Sequence, residues 1–152
     1  MNKIFKSIAT FSLLVLLISF AVYFKDPASP ITGGRQCELD DTLLCRFTDL
    51  NNNAKEVIVK FANKVQVEEQ NDLRLTLPAD MELQDIWIQG VNMYMGKVAM
   101  FKHSSTQTNV HNLQFFLGSC SEQNMRWQMV IVIKKASVQQ PETYFINFKT
   151  KI

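Results

Sequence analysis

Hydrophobic residues follow two different patterns along this chain. From Ile8 to Phe24 (IATFSLLVLLISFAVYF) they form an uncharged run that is apolar on every side, with Lys3 and Lys6 before it and Lys25 after it. As a helix the run covers roughly 25 Å, and a further turn from Ile4, with Lys6 snorkelling, reaches the roughly 30 Å of a bilayer core. A globular helix of this length would carry a polar face, so the run predicts a transmembrane anchor over residues 1–25. A cleaved secretory signal is the alternative, with its one weak cleavage candidate near Ala28. The basic N-terminal flank favours the cytoplasm. The rest of the chain is then expected outside it: a single-pass protein of the cytoplasmic (inner) membrane with its C-terminal domain in the periplasm of a Gram-negative cell. Residues 26–36 open on DPASPITGG and predict a spacer that stops the helix.

Over residues 37–152 the pattern breaks into short segments of period two. Leu43 to Thr48 and Glu56 to Phe61 flank DLNNNAK, whose Asn and Asp suit a hairpin loop. Val65 to Glu69 reads as a strand or as the same strand after a bulge. Leu73, Leu75 and Leu77 alternate with polar residues until Pro78. Ile86 to Ile88 begins a segment that runs through Gly90 to Gly96. Lys97 to His103 and His111 to Leu117 flank SSTQTNV as a second hairpin. In MRWQMVIVIK, Trp127, Met129, Ile131 and Ile133 share one face, and Tyr144, Ile146 and Phe148 do so in TYFINFK. This spacing, with no convincing amphipathic helix, predicts an all-β domain: an immunoglobulin-like β-sandwich of about seven or eight strands, with a small barrel as the alternative.

Charge narrows the function. The formal net charge is +2, and once Lys3, Lys6 and Lys25 are set aside the remaining cations no longer outnumber the 14 acidic residues. A nucleic-acid partner therefore has no electrostatic support. No Gly-rich phosphate loop, G-x-S-x-G elbow, H-E-x-x-H or C-x-x-C pair occurs. Asp40 with Asp41 and Glu68 with Glu69 are sequence neighbours that a strand would point to opposite sides, so the expectation is a non-enzymatic protein.

The candidate chemistry is soft. Three cysteines sit in what should be an oxidising compartment. Cys37 with Cys45 is the favoured disulfide, and Cys45 with Cys120 is the alternative. Met93 and Met95 in GVNMYMG, with Cys120 and Met125 in CSEQNM, are candidate Cu(I) ligands, because polarisable sulfur suits a soft cation. Methionines at alternating positions also fill cores, and Cys120 can equally be a buried thiol. His103 and His111 lie symmetrically about SSTQTNV; a regular hairpin would set them opposite each other, close enough to share a metal, with a solvated surface pair near a loop tip as the alternative.

At GVNMYMG and CSEQNMRWQMVIVI the chain resembles the FixH-like and YtkA-like group, small membrane-anchored proteins with an extracytoplasmic β-sandwich. The resemblance implies copper handling and cytochrome oxidase assembly. It falls on Met93, Met95 and Gly96, and more loosely on Cys120, Met125 and Trp127. Two functions are thus expected. One is a membrane-tethered protein that binds copper or assists a copper-dependent respiratory complex, with a membrane-protein client. The other is a metal-free envelope interaction module with structural cysteines.

Overall fold

In the computed structural model, the described residues are Leu16 and residues 34–49, 52–103 and 107–151. The chain divides into two compact units, Met1–Thr32 and Gly33–Ile152. The expected anchor and most of the spacer fall in the first unit, outside the described residues apart from Leu16. Among the described residues no helix is long and apolar enough to cross a membrane.

The second unit is a two-sheet β-sandwich of ten strands: β1 (Arg35–Glu38), β2 (Leu44–Asp49), β3 (Asn52–Phe61), β4 (Gln70–Thr76), β5 (Met81–Gly90), β6 (Lys97–Ala99), β7 (Phe101–His103), β8 (Val110–Phe116), β9 (Asn124–Lys135) and β10 (Glu142–Lys151). One sheet runs β1-β10-β9-β5-β6 and the other β2-β3-β4-β8-β7. Every pairing is antiparallel except β1 with β10.

The inward alternation supplies the core. Leu73 and Leu75, Trp127, Met129, Ile131 and Ile133, and Tyr144, Ile146 and Phe148 are buried between the sheets as their spacing predicts. Phe47 packs edge-on to Tyr144 at 5.1 Å, and Phe61 meets Phe115 and Phe148. Trp127 donates its indole N–H to Thr150 Oγ1 at 2.9 Å, so the largest core side chain is satisfied.

Two local features raise the strand number above the expected seven or eight, and a third changes the phase within one strand. The stretch expected as one strand from Lys97 to His103 is cut at Met100, where the chain passes from one sheet to the other. In β5 a bulge at Gln84 switches the alternation, so Met81 and Leu83 point inward before it and Ile86 and Ile88 after it. β1 is a short parallel addition at the sheet edge.

Val65 to Glu69 is not a strand but a loop. Buried Asn71 fastens it: its Nδ2 donates to Gln66 O (2.8 Å) and Glu69 O (3.0 Å), and its Oδ1 accepts from Gln66 N (2.9 Å). The amide supplies the bonds that a ladder would otherwise have made.

Candidate functional site

The structure pairs Cys37 with Cys45, eight residues apart, with Cα atoms separated by 6.1 Å. Since β1 and β2 belong to different sheets, the disulfide ties the two layers at one edge of the sandwich. Arg35 Nη1 donates to Thr48 O at 2.9 Å along the same seam. Cys120 is left as the free thiol.

The sulfur candidates gather at the end of the sandwich where β5 stops and β9 begins. Cys120 Sγ lies 3.9 Å from Met125 Sδ and 3.8 Å from Glu122 O. Met125 is buried, and Met95 is half-buried against the core. Met93 is 37% exposed. Gly90 explains the arrangement: it faces inward opposite Trp127, and a Cβ there would collide with Met93 O and the Met125 methyl. Two of the four sulfurs therefore touch, while the Met93 carbonyl lies over Gly90 beside the Met125 methyl.

The two histidines are not brought together. β7 and β8 do form a hairpin, but its register sets His103 opposite Asn112, one residue away from the symmetrical pairing. A one-residue offset turns the side chain to the other face. His103 is exposed and hydrogen-bonded to Gln114 Oε1 at 2.8 Å, whereas His111 points inward with Leu113 and Phe115. His111 is 7% exposed, and its Nδ1 has no partner. Burial, with Lys102 nearby, pushes the His111 pKa below its ordinary value. Among the described residues no group of three His, Cys, Asp or Glu side chains could hold a metal.

Residues 91–96 give this end its surface. Tyr94 is 92% exposed and Val91 51%, beside Met93. The loop is nevertheless fastened. Val91 N donates to Arg126 O (2.8 Å), Asn92 Nδ2 donates to Asn124 O (3.1 Å), and Asn92 Oδ1 accepts from Arg126 N (2.8 Å). The side chain of Asn92 thus extends the β5–β9 ladder past Gly90, and Gly96 closes the loop with a φ of 71°. Sequence reasoning weighed Met93 and Met95 and passed over Tyr94, the most exposed large side chain here. An aromatic between two glycines, outside any clean alternation, was the available signal.

Elsewhere the charges are structural. Burial alone would raise the Glu142 carboxyl, but Lys135 Nζ at 2.7 Å and the Tyr144 hydroxyl at 2.7 Å hold it below the usual range. Lys55 does the same for Asp80 across 2.7 Å. No protein-family model, curated protein or solved structure matches this chain.

Proposed function

We propose that this protein is a non-enzymatic, membrane-tethered module of the bacterial envelope that holds a protein client on its 91–96 loop. One observation carries the reading: Tyr94, Val91 and Met93 are exposed together on a loop whose backbone is fixed by Asn92. An aromatic anchor on a pre-ordered backbone loses little entropy on binding. Gly34 enters the sandwich at the opposite end, because β1 runs parallel to β10 and hence in the same direction as β5. The apolar run from Ile8 to Phe24, with its basic flank, supports an inner-membrane anchor and a periplasmic domain. The strand order, with a first strand parallel to the last and sheet changes at β1–β2, β4–β5, β6–β7 and β8–β9, supports an immunoglobulin-like sandwich.

The test is a photo-crosslinking amino acid at position 94 in cells, beside the same residue at Glu82 on the outer face of β5. A discrete protein adduct from position 94 alone, lost when Val91 and Met93 are changed to Ser, is expected. Equal labelling from both positions, or none from position 94, would refute the reading.

A copper role is favoured by one separate observation, the 3.9 Å contact between Cys120 Sγ and Met125 Sδ. These two soft donors fit Cu(I), with Met93 and Met95 as further sulfur candidates. Cu(I) titration of the full chain against a competing chelator, beside Cys120→Ser, decides it. Stoichiometric binding lost in the variant is the expected result, and no binding above the chelator's range would end the copper reading.

A further inference from the structure

The outer face of the second sheet carries a row of side chains far from the 91–96 loop. The registers Leu44↔Lys60, Lys60↔Arg74, Arg74↔Asn112 and His103↔Asn112 line these residues up across all five strands. Directly opposed residues stand with Cβ atoms about 5 Å apart, and like charges so placed destabilise a sheet. Lys60 and Arg74 are such a pair. Both are exposed, and among the described residues neither forms an ion pair.

The hydrogen bonds around them fix which atoms remain available. Arg74 Nε donates to Asn112 Oδ1 at 3.2 Å, so the Asn112 Nδ2 protons are left for a ligand. Gln114 Nε2 donates to Asp72 Oδ1 at 3.1 Å, so its Oε1 must accept from His103 Nε2 at 2.8 Å. His103 Nε2–H is thereby committed to Gln114. Asp72 is the one carboxylate of the depression and is already bonded by Gln114 and, at 3.4 Å, by Gln70. Lys60, Asp72, Arg74, His103, Asn112 and Gln114 together line a depression of about 660 Å³.

We propose that this row binds a phosphate-type oxyanion, held by Lys60 and Arg74 and flanked by Asn112 Nδ2. The guanidinium edge gives a planar fork and the ammonium a point charge, the two ways in which proteins grip such groups. Bound anion also offsets the repulsion between Lys60 and Arg74, so occupancy raises stability.

The experiment uses the full chain in nonionic detergent, with inorganic phosphate as the probe and chloride at matched ionic strength as the reference. Arg74 Nε and Asn112 Nδ2 resonances are followed by NMR, and thermal unfolding by tryptophan fluorescence. Phosphate is expected to shift both resonances saturably and to raise Tm. Lys60→Gln and Arg74→Gln are expected to unfold at higher temperature than the parent in chloride and to bind phosphate about ten-fold more weakly or worse. Lys149→Gln is the control, since Lys149 and Arg126 are opposed in the same way on the other sheet. It should keep the phosphate response. Absence of a saturable shift, or equal loss in Lys149→Gln, overturns the proposal.

Discussion

Replacing His111 with Leu should stabilise the protein and remove one component of its acid sensitivity. His111 occupies an inward position of β8, in register with buried Leu75 and in line with Leu113 and Phe115. Its Nδ1 is buried without a partner, a defect that costs about 1–3 kcal/mol. Leucine fills a similar volume with no polar atom, so a gain of about 1–2 kcal/mol is expected, roughly 3–8 °C in Tm for a domain of this size. The pH dependence has a definite sign. The folded-state pKa lies below the ordinary 6.5, because burial and Lys102 both disfavour the cation. The unfolded chain therefore binds more protons, and stability is full above about pH 6.5 and falls as pH drops through that value. The loss at pH 5 is bounded by protonation of an unfolded imidazole of ordinary pKa, about 2 kcal/mol. Asp40, Asp80 and Glu142, whose pKa values are also lowered, start from 3.8, 3.8 and 4.5 and act in a lower window. Denaturant unfolding at pH 7.5 and 5.0 separates the two. A His111→Leu variant that is no more stable at pH 7.5, or that keeps the parent's loss between the two pH values, would refute the reasoning.

Removing the disulfide by Cys37→Ser with Cys45→Ala frees a loop of eight-residue separation, and the chain-entropy account gives a loss of about 2.5 kcal/mol by denaturant unfolding. Asn71→Ala leaves Gln66 N and the Gln66 and Glu69 carbonyls without their amide. A loss of about 2–4 kcal/mol is expected, with faster hydrogen exchange confined to residues 65–70. Gly90→Ala drives a methyl into Met93 O and the Met125 methyl; it should cost about 1–3 kcal/mol and abolish crosslinking from position 94 while β9 and β10 keep their exchange protection.

Period-two alternation carried most of the architecture, because the two sheet faces that meet are the faces it marks: Leu73 with Leu75, Trp127 through Ile133, Tyr144 through Phe148. It failed where one residue changed the phase or the sheet. The bulge at Gln84 has no signature in residue type, and Met100 is as apolar as the strand residues on either side, so neither break is legible locally. The His103 and His111 pairing failed for a related reason: counting from the middle of a seven-residue loop assumes a symmetrical turn, and the observed register is offset by one. Phe145 and Val130 face outward by period yet are buried with Trp87, whose ring lies under Lys97 Nζ at 4.2 Å. Only tertiary packing decides such positions. For the site, the near cysteine pair was readable because short separation limits the chain entropy of closure, whereas Tyr94 gained its meaning from the hydrogen bonds of Asn92.

Gly90 links the candidate sulfurs to the candidate docking loop. β5 ends on an inward residue without a side chain, and the Met125 methyl and the Met93 carbonyl both close over it. The chain can then leave the sheet early, Asn92 replaces the missing rung, and Val91, Met93 and Tyr94 are carried outward instead of continuing into the core. A copper ion held between Cys120 Sγ and Met125 Sδ would draw on the thioether whose methyl closes over Gly90. The Met93 carbonyl covers the same glycine, so a shift of that methyl would be felt by the backbone that presents Tyr94. Metal and client are therefore coupled at this end of the sandwich: Cu(I) binding should weaken crosslinking from position 94, and a client seated on Tyr94 should lower the affinity for Cu(I) by the same factor.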